Sequence, residues 1–598
     1  MRSITVAVTA LLVAACASPP AFTYKAPEQP EGSSGYTEKP GWATSKSAVA
    51  AANPLATDAG LQILRAGGSA VDAAIAVQMV LGLVEPQSSG IAGGAFLLHF
   101  DGKQVQAFDG RETAPAAATE KLFLGPDGKP MPFYDAVVGG RSVGVPGAVR
   151  MLETAHRTHG KLPWATLFAP AIALSEGGFK VSARLNTLLN AEQHLKKDPL
   201  AAAFFYAADG KALAVGSLLK NPEYGAVLRK IAAQGSKGLL EGDVAQAIVA
   251  KVQGHPSNPG TLALTDLARY EAKQREPLCF DHMAAGKAYR LCGMPPPSSG
   301  AIAVGQILGM LGNTNAAQLP LDKALPSADW LHLYMEASRM AFADRALYVG
   351  DPDFVAAPGG NWANMLDAGY LSERAKLIGP QSNKAVKPGL PPGARMSYAP
   401  APDQPEYGTS HVSIVDGLGN AVAMTTTIED VFGARQLVNR GVGLAGGFLL
   451  NNELSDFSFA PADAEGKQIA NRVQPGKRPR SSMSPTLVFD KANGALVMTV
   501  GSPGGALIIH FTTKTLIGAL HWGMNVQQAI SLPNFASLGG PALLEERRFP
   551  AATGEALRAR GQEVREQALT SGLQAIQKTP SGWFGGADPR REGVVMGD

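Results

Sequence analysis

In the run Gly408-Thr409-Ser410-His411 a threonine directly follows a glycine, at what reads as the start of a β-strand. A threonine hydroxyl is a poor nucleophile until a neighbouring base takes its proton. A chain that cuts itself before the threonine supplies that base, because the freed α-amino group has an ordinary pKa of about 7.7–8.0. Gly408 suits such a cut, since glycine tolerates strained backbone and leaves its carbonyl open to the Thr409 hydroxyl. Further along stand Thr425-Thr426-Thr427-Ile428-Glu429, the acidic residues Glu453 and Asp456, the hydroxyl pair Ser481-Ser482, and Gly501-Ser502-Pro503-Gly504-Gly505. The last run is not a G-x-S-x-G nucleophile elbow. The N–H groups of Gly504 and Gly505, unshielded by side chains, suit an oxyanion hole, although a tight turn needs the same glycines.

The order and spacing of these runs matter more than any one of them. Leu450-Asn451-Asn452-Glu453-Leu454-Ser455-Asp456-Phe457 and Lys477 to Thr486 lie between the threonines and the glycine pair. Upstream are Phe108-Asp109-Gly110-Arg111-Glu112, Met294 to Gly300, Ala343-Asp344-Arg345 with Gly350 to Phe354, and, at the other end, Asp588-Pro589-Arg590. Across residues 45–592 the series resembles the γ-glutamyltranspeptidases (glutathione hydrolases), N-terminal-nucleophile enzymes that mature by self-cleavage.

The resemblance implies an α/β (α+β) fold of four layers, αββα. It also implies a large subunit of residues 45–408 and a small subunit of 409–598, associated as a heterodimer after a cut between Gly408 and Thr409. Thr409 would be the nucleophile, Thr427 its hydrogen-bond partner, and Gly504 and Gly505 the oxyanion donors. The donor would be glutathione or another γ-glutamyl amide, passing its acyl group through Thr409 to water or an amino acid or peptide. Arg111 would clamp the donor carboxylate at two points, helped by Ser481 and Ser482, while Glu453 and Asp456 face its ammonium. Glu429 stands where the family commonly has asparagine and adds a third carboxylate. With no cation among them, three carboxylates would make the empty pocket unfavourable. Ala506-Leu507 and the Gln87 to Gly94 stretch also depart from the common pattern. An acylase for glutaryl-type amides is the rival within the family, and a non-catalytic surface lipoprotein on the same scaffold is the rival outside it.

The elements that would hold these residues read as follows. Asn53 caps a helix with Pro54 at its first position, running to Arg65 and stopped by Gly67-Gly68. Ser69 caps a second helix, Val71 to Leu83, apolar on nearly every face and hence buried. Ala95 to Phe100 and Gln104 to Asp109 are strands that deliver Arg111. Residues 145–255 are mainly helical, and Pro326 to Tyr348 form a long helix whose Glu336, Arg339, Asp344 and Arg345 make structural ion pairs. Residues 355–408, rich in Pro and Gly, read as an exposed linker. Strands then follow at Ser410 to Val415, Ala421 to Ile428, Thr486 to Asp490 and Ala495 to Val500, with a helix from Gly505 to Gly523.

A length of 598 residues allows a large core, and a net charge of +3 with 17% charged residues calls for no nucleic-acid partner. His156 and His159 lack a companion cluster and read as surface histidines, so no metal and no cofactor is expected. His411 shares a face with Thr409 and is assigned to structure. Residues 1–15 read as a signal peptide ending in the lipobox Val13-Ala14-Ala15-Cys16, with Cys16 taking the lipid. Residues 16–44 would be the lipidated cysteine and a flexible tether. The expected location is periplasmic, anchored through lipid to a membrane, with Ala17 favouring the outer one. Export makes a disulfide between Cys279 and Cys292, which flank a hairpin connection, the expected pairing.

Overall fold

The computed structural model describes residues 22, 24, 35–402 and 408–598. The signal segment 1–15, Cys16 and most of the tether lie outside the described residues. Two seven-stranded sheets form the centre. In chain order the strands are β1 (Trp42–Thr44), β2 (Ala48–Ala51), β3 (Gly94–Phe100), β4 (Val105–Gly110), β5 (Lys273–Arg275), β6 (Leu278–Ala284) and β7 (Lys287–Gly293). They continue as β8 (Ser410–Val415), β9 (Ala421–Thr427), β10 (Thr486–Asp490), β11 (Leu496–Gly501), β12 (Gln574–Thr579), β13 (Gly582–Ala587) and β14 (Val594–Gly597). One sheet has the order β14-β2-β8-β9-β3-β4-β5 and the other β1-β13-β12-β11-β10-β7-β6.

Three apolar clusters mark the layers. Val412, Ile414, Val422 and Met424 turn outward from the first sheet onto helices α1 (Pro54–Arg65), α2 (Ala70–Val84) and α3 (Ala148–His159). Val488, Met498 and Val500 turn outward from the second onto α5 (Gly300–Gly312), α6 (Ala328–Tyr348) and α7 (Ile508–Leu520); α4 (Ala183–Ala191) lies with the first group. Between the sheets Ala48, Phe96, Leu98 and Val415 meet Leu487, Phe489, Ile576 and Trp583. Alternation along each strand therefore buries both faces, the signature of an αββα sandwich.

Helix boundaries follow local chemistry. Asn53 Oδ1 accepts from Leu55 N at 2.9 Å ahead of Pro54, and Ser69 closes a reciprocal capping box with Asp72. Three readings change. The fold begins before residue 45, because Trp42 to Thr44 pair with β13 and Thr37 N donates to Pro589 O at 2.7 Å; a three-residue strand is too short to show a period. The 355–402 stretch is not a bare linker: it holds the helix Ala368–Ala375 and buries Val355, Met365 and Leu371, anchored by long-range contacts that its composition hides. His156 and His159 are half-buried rather than surface groups, His156 lying 3.5 Å from the buried Asp72. Cys279 and Cys292 stand directly opposite each other on β6 and β7 and are bonded.

Candidate active site

The threonine-bearing strands are paired so that Ser410 opposes Thr426 and His411 opposes Thr425. One step further along the ladder Thr409 meets Thr427, and Thr409 Oγ1 donates to Thr427 Oγ1 at 3.2 Å. Thr427 Oγ1 also accepts from the Glu429 N–H at 2.8 Å, which fixes the orientation of its hydroxyl. His411 is fully buried between the sheets, shares 2.8 Å with Thr425 Oγ1, and is pushed down to about 3 by burial. It is a neutral packing group.

The backbone at the Gly408-Thr409 step is unusual. Gly408 has φ +81° and Thr409 φ +84°, and a β-branched residue in that region is an outlier costing of order 1–3 kcal/mol. Its surroundings hold it there. The Thr409 N–H donates to Ser88 O at 3.2 Å, Arg591 Nη1 donates to the Thr409 carbonyl at 3.4 Å, and a Cβ on Gly408 would lie 1.9 Å from Glu429 O.

Thr409 opens on a small cavity lined also by Arg111, Thr427, Glu429, Glu453, Asp456, Ser481, Ser482 and Gly505. The structure thus brings together residues spread over nearly 400 positions of chain. Gly504, at φ +130°, precedes Gly505 at the turn into α7, and a Cβ on it would meet the Phe511 ring at 2.7 Å. This turn needs glycine on steric grounds alone.

Two expectations about charge are corrected here. Arg111 is itself the cation among the carboxylates: its guanidinium bonds Glu453 and Asp456, and it also donates through Nε to Pro479 O at 3.1 Å and through Nη2 to Arg480 O at 2.8 Å. Four of the five guanidinium N–H groups are therefore engaged, so no two-point clamp stands ready for a ligand carboxylate. Packing decides this, because Arg111 and Glu453 are 342 residues apart and both are buried.

The third carboxylate behaves differently. Glu429 Oε2 accepts from Asn452 and, at 3.1 Å, from Ser455, while Oε1 is buried without a partner. Burial, then the charges of Asp456, Asp430 and Glu453, push its carboxyl well above the ordinary range. Glu112 joins this group. It is buried against Glu453, and burial followed by the Glu453 charge pushes its carboxyl well up. The fit around it is close: a Cβ on Gly94 would fall 2.1 Å from Glu112 Oε2. Its one signal in the sequence was adjacency to Arg111. Arg345 also donates to Ser482 Oγ at 2.6 Å and Ser299 Oγ at 2.8 Å and so orients the Ser482 hydroxyl. Among the described residues no group of three or more His, Cys, Asp or Glu could hold a metal ion.

Residues 56–598 match the gamma-glutamyltranspeptidase family. The chain is 35% identical over 563 residues to a glutathione hydrolase proenzyme of Bacillus subtilis (strain 168), covering 92% of this chain and 91% of that one. It is 34% identical to the acylase ACY 1 proenzyme of Pseudomonas sp. (strain SE83), covering 91% and 92%. The fold superposes on the cephalosporin acylase from Bacillus halodurans with a TM-score of 0.78 and 25% identity, over 96% of this chain and 99% of that one. The chain is therefore an enzyme of the γ-glutamyltranspeptidase family, built as an N-terminal-nucleophile hydrolase.

Proposed function

We propose that the chain cuts itself between Gly408 and Thr409 and then works as a γ-glutamyltransferase and glutathione hydrolase through an acyl-Thr409 intermediate. The observation that carries this reading is the strained Thr409, hydrogen-bonded to Thr427 and facing a pocket of one guanidinium and several carboxylates. The strained φ of Thr409 turns about the N–Cα bond next to the peptide bond to be cut, so cleavage frees that rotation and releases the strain. Thr409 Oγ attacks the Gly408 carbonyl, the hydroxyl proton passes to the Thr409 nitrogen as the C–N bond breaks, and an ester joins Gly408 to Oγ. Water then hydrolyses the ester, leaving a Gly408 carboxylate, the Thr409 hydroxyl and a free α-amino group.

In turnover that amine takes the hydroxyl proton and Oγ attacks the γ-carbonyl of the donor. The N–H groups of Gly504 and Gly505 receive the oxyanion. The α-ammonium returns the proton to the departing amine, and the acyl group passes to water or to the amine of an amino acid or peptide. Binding is an exchange of ion pairs: the donor ammonium takes over Glu453 and Asp456, and the Arg111 N–H groups so released meet its carboxylate beside Ser481 and Ser482.

A glutaryl-type acylase is the second reading, favoured by the likeness to the two acylases. We also assign export and lipidation at Cys16, with which the Cys279–Cys292 bond agrees; among the described residues no helix is long and apolar enough to cross a membrane. Intact mass decides the mechanism. Wild type should give two associated pieces, the second of residues 409–598, and Thr409→Ala should stay whole. Uncut, active wild type would end the N-terminal-nucleophile reading, and uncut, inert wild type would favour a binding scaffold.

A further inference from the structure

Beside Thr409, outside the residues that line the cavity, lies a buried group of charges that the mechanism above does not use. Arg591, 5% exposed, packs its stem on Gly572, where a Cβ would come within 2.8 Å of Arg591 Cδ. Its Nη1 reaches the Thr409 carbonyl at 3.4 Å. The next residue, Ser410, donates through its hydroxyl to Glu85 Oε2 at 3.1 Å. Glu592 accepts from the backbone N–H of Arg184 at the start of α4 at 2.8 Å. Arg591 Nε, Arg184 Nε, Glu85 Oε1 and Glu592 Oε2 have no partner, so these charges act through space rather than as closed pairs.

We propose that Arg591 is a positioning residue for the nucleophile: it grips the Thr409 carbonyl and sets a fixed positive charge beside the α-amino group freed by cleavage, favouring the neutral amine that acts as base. This rests on the reading of Thr409 as an N-terminal nucleophile. The grip leaves the amine with Ser88 O as its acceptor and the hydroxyl with Thr427, so backbone and side chain of Thr409 are held at separate points.

The charges around that amine come from two sides. From the cavity, Glu429, Glu453 and Asp456 favour an ammonium, but Arg111 already bonds the last two, and burial holds Glu429 toward its neutral form. From outside the cavity lining, Arg591 and Arg184 disfavour an ammonium, opposed by Glu85 and Glu592. Burial pushes Glu85 up, which weakens that opposition. Arg591 itself, lowered by burial and by Arg184 to about 9, stays charged at neutral pH. Lys39 donates to Arg591 O at 2.7 Å and adds a further cation. Asp588 is taken up by Arg590 at 3.1 Å and is lowered chiefly by that charge against its burial.

The test is the pH dependence of kcat/KM on a γ-glutamyl anilide, whose acid limb reports the free enzyme's base. A nearby cation lowers an amine's pKa and its removal raises it, so Arg591→Gln should move the acid limb up by about 1–2 pH units. Arg591→Lys, which keeps the charge, should leave the limb within about half a unit of wild type. Arg184→Gln removes the second guanidinium without touching the Thr409 carbonyl contact; it should move the limb in the same direction by less, and it carries the test if Arg591→Gln is not cut. Cut variants whose limbs coincide with wild type overturn the proposal, as does an equal upward move in Arg591→Lys and Arg591→Gln. Wild type that is itself uncut or inactive is a failure of the nucleophile reading instead.

Discussion

Discrimination between a γ-glutamyl and a glutaryl amide follows from the ion pairs among Arg111, Glu453 and Asp456. Arg111, with a side chain 1% exposed, is held by Glu453 and Asp456, themselves 1% and 8% exposed. A γ-glutamyl donor brings both charges, so each carboxylate that releases Arg111 gains an ammonium and the number of buried pairs is kept. A glutaryl donor brings only a carboxylate. It draws Arg111 away and leaves Glu453 or Asp456 buried beside Glu429 and Glu112 with nothing in return. Breaking a buried pair by removing one partner costs about 3–5 kcal/mol, and taking the lower figure gives a preference of roughly 10²-fold in kcat/KM. Asp456→Ala removes one of the stranded carboxylates, so the margin should fall to about tenfold or less. The assay compares γ-glutamyl and glutaryl anilides on one enzyme preparation. Equal turnover by wild type, or an undiminished margin in Asp456→Ala, would refute the exchange and give the acylase reading the lead.

Other expectations concern cleavage and stability. Gly408→Ala puts a Cβ against Glu429 O and asks an L-residue to hold φ +81°; at about 1–2 kcal/mol for the torsion alone, with the clash added, it should lower the melting temperature and leave the chain uncut, and normal processing would contradict the clamp. Glu112→Gln tests a sign. The folded-state carboxyl is raised above its ordinary 4.5, so wild type loses stability as pH climbs above that value while the variant does not, and the variant's melting advantage should widen from pH 5 to pH 8; a gap that narrows would refute the assignment. Thiol counting under denaturing, non-reducing conditions should find neither Cys279 nor Cys292 free, and Cys279→Ser with Cys292→Ser should cost roughly 3 kcal/mol for a loop of this length; two free thiols would refute the bond.

What the sequence determined by itself was local or carried by motif. Caps at Asn53 and Ser69, the alternation along Ser410 to Val415 and Ala421 to Thr427, and the Gly408-Thr409 step all depend on residues within a few positions of one another. Short-range sterics and hydrogen bonding are enough to express them. The family motifs added which distant residues share a cavity, though not how they pair. Arg111 was placed at the pocket, but its engagement by Glu453 and Asp456 depends on a contact across 342 residues. The same holds for Arg345 on the Ser482 hydroxyl, for Arg591, 182 residues from the carbonyl it holds, and for Glu112, whose titration is set by the burial that surrounds it. Charge state in a low-dielectric interior depends on everything within several ångströms, whatever its place in the chain. Residue types and spacing therefore specified Thr409 and its strands, while tertiary packing alone decided which charges face it.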